Sequence, residues 1–521
     1  MAALRNILVV GGGTAGWLTA CYLARVLNAA HAQGVRVSLV ESADIGVLGV
    51  GEGTFPSIRG TLSAIGLDEA RFLRGATATF KQGIRFVDWV RAPAAAGGAR
   101  RDYFHPFSLP SQRGDAPELL PYWLLGAAAP GASFAGSVTL QQRVAAASRA
   151  PKKRGDAPYH GRLNYAYHFD AAQFARVLAE HGRSLGVRHT IATVENVDLD
   201  EHGAIARVHT REAGALEADL YVDCTGFRAA LIGRALGSAF RSAKDTLFVD
   251  RAVAIQVPYA RADAPIPSYT ISTAHEAGWT WDIGLHARRG VGYVYSTRHT
   301  DDARAEQVLR DYIGPAAAGL NARVLGFEAG HRPAQWVKNC VAVGLSAGFV
   351  EPLESTGIGL IEIAAYLIAH LLPRDGEMTR VARLFNESMS ARYERIFDFV
   401  KMHYCLSARR DSAFWIDNVD AASVPDTLKD RLAMWRSRPP HRLDFLSDIE
   451  MFLPASWQYI LYGMEFRTDL ESARAAYTQA DAARREFEMI RVLGTHAAND
   501  LPDHRALVEA ICAERGAVAV G

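Results

Sequence analysis

A glycine-rich turn near the start of the chain constrains the fold more than any other feature. A β-branched run, Ile7–Val10, leads into GGGTAG and then into the helical pattern WLTACYLARVL. Gly11, Gly13 and Gly16 complete G-x-G-x-x-G, in which the glycines allow the tight turn, the approach of a pyrophosphate and close helix–strand packing. Free N–H groups at a helix start favour negative charge. The pattern predicts a nucleotide-binding βαβ unit; a tight turn without a ligand is the alternative.

The segments that follow indicate which nucleotide is bound. The run VRVSLVE ends in Glu41, which is placed to accept hydrogen bonds from ribose hydroxyls, and Thr14 and Ala15 are expected to line the site. Two later segments, 218–227 and 340–352, are strand-like runs that end in glycine, the second at Gly344. A second G-x-G-x-x-G for NAD is missing. We therefore expect one Rossmann-like unit with long insertions, as in FAD-dependent monooxygenase-type proteins.

Composition excludes several classes of protein. A hydrophobic share of 49% and a charged share of 22% are typical of a globular protein, and the net charge of +1 gives no reason to expect nucleic acid. The five cysteines form no C-x-x-C pair, so neither a metal site nor a disulfide framework is expected. The longest apolar run, 357–372, is short and contains Glu362 and His370, which argues against a membrane span. A strand-like run within six residues of Met1 leaves no room for a signal peptide, so we expect a cytoplasmic protein.

Several motifs, in order from the first strand to about residue 466, resemble the tryptophan halogenase family of flavin-dependent halogenases. The segment 49–56, GVGEGTFP, is similar to the loop that straps the flavin and includes Val50. The segment 79–89, TFKQGIRFVDW, is similar to the one that carries the essential lysine, here Lys81. The other matching segments are GGGTAGW (11–17), YAYHFDAAQFA (165–175), GFVEPLESTGIGLIE (348–362), HYCLSARRDSAFW (403–415) and SWQYILYGM (456–464).

The segment GWTWDIG resembles the family signature W-x-W-x-I-P through Trp279, Trp281 and Ile283. The resemblance implies that both indoles lie beside the flavin and keep organic substrate away from it. Alternation along an extended segment places the two rings on one face, so a pair of core rings is the alternative. Gly284 stands where the signature has proline, and glycine loosens the turn that proline would fix.

The resemblance also implies two catalytic residues. Lys81 would receive hypohalous acid, either as an amine nucleophile or as an ammonium donor, although a lysine among apolar neighbours usually extends its amine to solvent. Glu354 would be the carboxylate at the substrate end that assists Lys81, with Glu351 as a nearby rival. A partner for a helix dipole is the alternative role for Glu354.

The segment PLESTGIGLIE predicts a helix start, which Ser355 or Thr356 can cap. The resemblance implies that the backbone at Thr356 and Gly357 holds the halide close to the flavin. It assigns His105 and Phe107 to a sandwich around an aromatic ring; the alternative for His105 is a core histidine. Pro352 and Ser355 complete the expected substrate side.

The activity implied is halogenation of an indole or another electron-rich small aromatic substrate. FADH2 from a separate NAD(P)H-dependent flavin reductase, oxygen, and chloride or bromide would give hypohalous acid for Lys81. A flavin-dependent aromatic hydroxylase and a catalytically silent FAD-binding relative are the alternatives. The tyrosine and glutamate set that binds free tryptophan is not matched, because Tyr459 and Tyr462 are separated and Glu465 is only a candidate.

For the domain organisation we expect an α/β chain. Residues 1–372 would form a Rossmann-like FAD module with an inserted antiparallel substrate-side sheet at about 240–335. Residues 373–521, rich in helix formers, would form a mainly helical region that covers the substrate. No metal is expected, and a homodimer is compatible with the composition.

Overall fold

The computed structural model describes residues 4–44, 51–93, 101–114, 116–373, 375–446 and 448–513. Strands and helices are numbered along the chain. The strands are β1 (Asn6–Val10), β2 (Arg36–Glu41), β3 (Glu52–Gly53), β4 (Thr79–Lys81), β5 (Gly83–Val87), β6 (Asp102–Pro106), β7 (Ala166–Phe169), β8 (Arg188–Ile191), β9 (Val194–Leu199), β10 (Ile205–Thr210), β11 (Gly214–Leu216), β12 (Leu220–Asp223), β13 (Arg241–Ser242), β14 (Arg251–Pro258), β15 (Thr270–His275), β16 (Gly278–Gly284), β17 (Arg288–Tyr295), β18 (Arg323–Gly326), β19 (Gly330–His331), β20 (Trp336–Val337), β21 (Cys340–Ala342) and β22 (Gly348–Phe349).

The α-helices are α1 (Thr14–Val26), α2 (Ser57–Ala64), α3 (Glu69–Gly75), α4 (Leu119–Leu124), α5 (Phe134–Val138), α6 (Gln141–Ala146), α7 (Ala171–Ser184), α8 (Asp302–Ile313), α9 (Thr356–Leu371), α10 (Thr379–Cys405), α11 (Ala413–Val419), α12 (Asp426–Trp435), α13 (Pro454–Gly463), α14 (Ala480–Asp500) and α15 (His504–Ala513). Over the described residues, none of these helices combines the length and the apolar character that a membrane crossing requires.

The chain packs into two compact units, each built from three segments. The first unit contains Met1–Ala78, Phe169–Ala243 and Glu328–Glu394. The second unit contains Thr79–His168, Lys244–Phe327 and Arg395–Gly521. The division at residue 372 into two domains stays a prediction.

The first unit contains a six-stranded sheet in the order β20–β21–β12–β1–β2–β8. Its strands from β21 to β8 run parallel, and β20 is an antiparallel edge. Strands buried on both faces need continuous apolar runs, which explains sequences such as ILVV in β1 and LYV in β12. The segments at 218–227 and 340–352 return to this sheet as β12 and β21, so the predicted Rossmann-like α/β fold is confirmed.

The second unit contains a seven-stranded sheet in the order β18–β14–β17–β16–β15–β5–β6. Its strands β14 to β17 are antiparallel neighbours, as the substrate-side sheet was predicted to be. The sheet is mixed, however, because β5 joins β15 in parallel and brings β6 with it. Local alternation identifies a strand but not its distant partner, so this pairing is invisible in the sequence. The described part of 373–521 forms the helices α10 to α15, joined by turns and short 3₁₀ segments.

Candidate active site

The glycine turn of the first unit has the geometry of an anion cradle. Gly11 has φ +115°, and a Cβ there would lie 2.3 Å from the carbonyl oxygen of Cys224. A Cβ on Gly16 would lie 1.8 Å from the carbonyl oxygen of Gly11, so neither position admits a side chain. A Cβ on Gly13 would meet no atom within 4 Å, which leaves open space at the start of α1.

The start of α1 offers its N–H groups to that space. Gly13 is the N-cap residue and has no side chain with which to cap the helix. The first turn of α1 contains no acidic side chain. Thr14 Oγ1 is buried and has no hydrogen-bond partner among the described residues. Unsatisfied donors at a helix start, beside a buried hydroxyl, suit a phosphate group.

Glu41 and Gly344 lie against the same turn. The carboxylate of Glu41 occupies the position that a Cβ on Gly12 would take, and its Oε1 lies 2.8 Å from His189 Nε2. Gly344 has φ +73°, and a Cβ there would lie 2.8 Å from the Cβ of Ala15. The structure therefore brings these predicted cofactor residues together at the carboxyl ends of the parallel strands. Val50 lies outside the described residues.

Asp223 is a site residue that the sequence analysis missed. Its carboxylate is fully buried at the end of β12 and accepts hydrogen bonds from the Thr225 amide and hydroxyl and from the amides of Leu231 and Ile232. These bonds fix the turn after β12, whose Cys224 carbonyl crowds Gly11. The signal was available, because an acid at the end of a strand-like run is the same pattern that identified Glu41.

The start of α9 is a second candidate anion site in the first unit. The expected side-chain cap is wrong: Ser355 is the N-cap residue with φ +58°, but its side chain makes no capping bond to the helix. In this left-handed conformation the hydroxyl does not serve the helix amides, and Thr356 is already the first helical residue. Thr356 Oγ1 is buried without a hydrogen-bond partner in the described part of the chain, and a Cβ on Gly357 would meet no atom within 4 Å.

The turn before α9 holds the remaining candidates of the first unit. Pro352 begins a 3₁₀ segment, Pro352–Glu354, and the Ser355 amide donates to the Pro352 carbonyl at 3.1 Å. Pro352 is exposed, whereas Glu354 is fully buried. Glu351 is equally buried, so burial does not separate the two glutamates.

Farther along α9, Glu362 connects two helices of the first unit. Its carboxylate accepts hydrogen bonds from the hydroxyls of Ser57 and Thr61, both in α2, which follows the predicted flavin strap. Burial raises the pKa of Glu362 to about 7, while both hydroxyl bonds work in the opposite direction.

In the second unit Lys81 ends β4 and is fully buried, unlike most lysines. Its Nζ lies 5.3 Å from the centroid of the Phe107 ring, a cation–π distance. On the neighbouring strand, burial and then the charge of Lys81 hold the pKa of His168 well below its usual range. The structure therefore brings Lys81 and Phe107 together in a water-poor interior.

Hydrogen bonds hold Phe107 in this position. Its amide donates to the Gln82 carbonyl at 3.1 Å, and Asn164 Nδ2 donates to its carbonyl at 2.8 Å. His105 is also buried, but its ring lies 6.1 Å from the rings of Phe399 and Tyr459, measured between centroids. Phe107 is thus fixed beside Lys81, and His105 packs among aromatic rings of the same unit.

The tryptophan strand β16 is buried along its whole length. The rings of Trp279 and Trp281 are 6.5 Å apart in an edge-to-face arrangement, as alternation predicts for one face. Trp279 also contacts Trp89, with centroids 6.4 Å apart. Trp281 Nε1 is buried and has no hydrogen-bond partner within the described ranges. Trp279 is buried and packs against Trp89, and the role of either ring beside a flavin stays a prediction.

The described residues contain no group of three or more His, Cys, Asp or Glu side chains that could hold a metal ion. Lys81 belongs to the second unit and Glu354 to the first.

Comparisons with known proteins agree on one family. The family model described as tryptophan halogenase matches residues 6–479. Tryptophan 6-halogenase SttH of Streptomyces toxytricini is 36% identical over 518 residues, covering 95% of this chain and 96% of that protein. A tryptophan halogenase structure from Shewanella frigidimarina has a TM-score of 0.93 at 40% identity, with 98% of each chain covered.

A further structure, Tar14, is described as a tryptophan C-6 flavin-dependent halogenase (chlorinase) from taromycin biosynthesis. It has a TM-score of 0.89 at 37% identity and covers 98% of this chain and 99% of that one. These similarities support the interpretation of the motifs as those of a halogenase, and not the alternative of a flavin-dependent aromatic hydroxylase. Since a family model and relatives above 30% identity both span most of its length, the chain belongs to the tryptophan halogenase family and is a flavin-dependent halogenase.

Proposed function

We propose that this enzyme halogenates an electron-rich aromatic ring of the indole type. Lys81 would receive the hypohalous acid and deliver the halogen to the ring. The observation that carries the proposal is the fully buried Lys81 amine facing the fixed Phe107 ring. The tryptophan halogenases among its relatives favour an indole ring, either in tryptophan or without the amino-acid head. Overall, the ring C–H, one halide, one proton, FADH2 and O2 become the ring C–X, FAD and two waters.

Flavin-dependent halogenases use FAD and halide, and the first unit has residues that fit FAD. The open space at Gly13, the free amides of α1 and the orphan hydroxyl of Thr14 would hold the pyrophosphate. Glu41 would accept hydrogen bonds from the ribose hydroxyls of FAD. Gly344 would keep the other side of this binding site free of a side chain. When bound in its reduced form, FAD would supply two electrons to oxygen. Oxygen would take two more from the halide, which becomes hypohalous acid while one water forms.

The halide would bind at the start of α9. In the described part of the chain no side chain caps α9, so the amides of its first turn, at Thr356 and Gly357, and the Thr356 hydroxyl would serve as donors. Chloride and bromide carry full charge and accept hydrogen bonds from any direction, so a helix start with several donors suits both.

Lys81 would receive the hypohalous acid. Its amine acts either as a hydrogen-bond donor to the acid or as a nucleophile that takes the halogen with loss of water. A buried position strengthens the hydrogen bond and keeps water from competing. In both cases the halogen is passed to the ring at one site, so the product is set by how the ring is positioned.

Glu354 would act on the ring after the halogen has added. Its carboxylate would stabilise the cationic ring and then accept the ring proton, which restores aromaticity. Phe107 would pack against the substrate ring. His105, Pro352 and Ser355 are proposed as further substrate contacts, and Trp279 and Trp281 as the wall that keeps the ring from the flavin.

FADH2 would come from a separate NAD(P)H-dependent flavin reductase, since the sequence contains one dinucleotide fingerprint and no second one for a nicotinamide. We place the enzyme in the cytoplasm, where a flavin reductase would be present and its cysteine thiols would stay reduced.

A reconstituted assay tests the proposal. Purified enzyme, FAD, a flavin reductase with NADH, air and bromide would be incubated with tryptophan, indoles, phenols and pyrroles, and products would be analysed by mass spectrometry for the paired bromine isotopes. Lys81→Met would be run beside Lys153→Met, which removes an exposed lysine paired with Asp500. We expect brominated product from the wild type and the Lys153 variant and none from the Lys81 variant. An oxygenated product independent of bromide would contradict the proposal.

A further inference from the structure

The strand that carries Lys81 is held in part by a residue from the C-terminal helix. Strand β4 is an edge strand and pairs with β7 alone among the described strands, in the register Thr79↔His168, Phe80↔Tyr167 and Lys81↔Ala166. The outer edge of a strand presents N–H groups that need another acceptor. For the Phe80 amide that acceptor is Nε2 of His504, at 3.1 Å.

The contacts of His504 define its protonation state. Nδ1 lies 2.8 Å from the carbonyl oxygen of Ile266, and a carbonyl only accepts, so Nδ1 carries the proton. Nε2 accepts from Phe80 and is therefore unprotonated. The imidazole is fully buried, and burial lowers its pKa to about 4. His504 is thus neutral with its proton on Nδ1, and a proton on Nε2 would remove the acceptor that β4 uses.

The backbone around His504 is also fixed. The His504 amide donates to the Ser148 carbonyl at 3.0 Å, and the Ala150 amide donates to the Pro502 carbonyl at 2.9 Å. The same segment, 148–150, holds the residue on the other side of Lys81, because Gln82 Nε2 donates to the Arg149 carbonyl at 2.7 Å. Phe80 and Gln82, the two neighbours of Lys81, are therefore both anchored to the start of α15 and the segment 148–150 that is bonded to it.

We propose that His504 is a positioning residue for Lys81: by accepting the Phe80 N–H bond from α15, it holds β4 so that the Lys81 amine faces Phe107. The inference rests on the proposed role of Lys81. His504 lies beyond residue 479, where the match to the family model ends, so the motifs of the family do not point to it. A displacement of reacting groups by about 1 Å can cost a hundredfold in rate, which makes such an anchor consequential.

The first measurement is the tautomer of His504. Protein labelled with ¹⁵N-histidine would be titrated from pH 5 to pH 8 by NMR, with His504→Gln used to assign the signal. The groups around the ring are His168 on β7 and Asp503 and Arg505 beside it in sequence. We expect a neutral ring with its proton on Nδ1 over the whole range. A proton on Nε2, or titration near pH 6.5, would overturn the inference.

The second measurement separates halogen transfer from the rest of the reaction. Wild type, His504→Phe, His504→Gln and the exposed control His496→Ala would be assayed for reduced-flavin oxidation, halogenated product and hypohalous acid released to monochlorodimedone. Phenylalanine keeps a ring but no acceptor, whereas the glutamine amide offers both N–H donors and an acceptor oxygen.

For His504→Phe we expect unchanged flavin oxidation, product lower by about tenfold or more, and a matching rise in trapped hypohalous acid. His504→Gln should restore most of the product, and His496→Ala should equal the wild type. If His504→Phe forms as much halogenated product and releases as much hypohalous acid as the wild type, the inference is overturned and the proposed function is left intact. Absence of product from the wild type, with every substrate, would overturn the proposed function itself.

Discussion

The hydroxyl of Thr79 donates a 2.6 Å hydrogen bond to the carbonyl oxygen of Gly284. This bond joins β4, which carries Lys81, to the end of β16, which carries the two tryptophans, and Thr79 is fully buried. Gly284 occupies the position where the W-x-W-x-I-P signature has proline. The end of the tryptophan strand is therefore held by a side chain from the lysine strand.

Replacement of Thr79 by valine should lower the free energy of unfolding by about 1–3 kcal/mol. The shape is kept, but the buried Gly284 carbonyl loses its hydroxyl donor. Urea denaturation of the two proteins measures the difference. Thr79→Ser retains the hydroxyl and should lose less, so a serine variant as unstable as the valine variant would show that the methyl group, and not the bond, is responsible.

Introducing the signature proline at Gly284 should destabilise this protein, by about 1–3 kcal/mol. A Cβ at this position would lie 2.8 Å from Ile266 Cγ2 and 3.1 Å from the Tyr259 hydroxyl oxygen. Gly284→Ala adds the same Cβ without the ring and should also lower the midpoint of thermal unfolding. A proline variant that melts above the wild type would mean that the neighbouring side chains move away at little cost.

The features predicted well from the sequence are those set by local chemistry. The run ILVV and the glycine turn demand a strand, a tight turn and a helix start in that order, and the structure has β1, Gly11 and α1 there. The indoles of Trp279 and Trp281 share a face because strand side chains alternate.

The features that the sequence did not predict depend on distant partners. The parallel pairing of β5 with β15 joins residues nearly two hundred positions apart, and no local pattern specifies it. The cap at Ser355 was expected from residue type, but the left-handed backbone there turns the hydroxyl away from that task. The acceptor for the Phe80 amide is a histidine in the last helix, which only the folded chain brings to β4.

Replacement of Gly357 by alanine should leave the fold intact and impair the use of halide. A Cβ there would meet no atom within 4 Å, and alanine favours a helix over glycine by roughly 0.5–1 kcal/mol. The added methyl group would, however, occupy space that we assign to the halide and the flavin. Thermal unfolding and the apparent KM for bromide measure the two effects.

The matched control for Gly357 is Gly60, an exposed glycine of α2 whose Cβ would also meet nothing within 4 Å. Gly60→Ala should gain similar stability with the bromide KM unchanged. If Gly357→Ala also keeps the wild-type KM, the start of α9 is not the halide site.

Glu362 should make the first unit less stable as the pH rises. Its pKa is about 7 in the folded protein, above the ordinary value of 4.5, because it is buried. Between these two values the folded chain binds more protons than the unfolded chain, so the contribution of this group is fully present below pH 4.5 and is lost as the pH rises through 7. A shift of this size corresponds to about 3 kcal/mol.

Glutamine at position 362 should remove this dependence. Its amide is neutral at every pH and still offers an acceptor to one of the two hydroxyls, Ser57 or Thr61. We therefore expect Glu362→Gln to be at least as stable as the wild type at pH 8, and to lose less stability between pH 5 and pH 8. Denaturation of the wild type and of Glu362→Gln at pH 5, 6.5 and 8 gives the slope of the free energy of unfolding against pH for each protein. Parallel slopes for the two proteins would mean that Glu362 stays ionised when buried, stabilised by its hydroxyl donors.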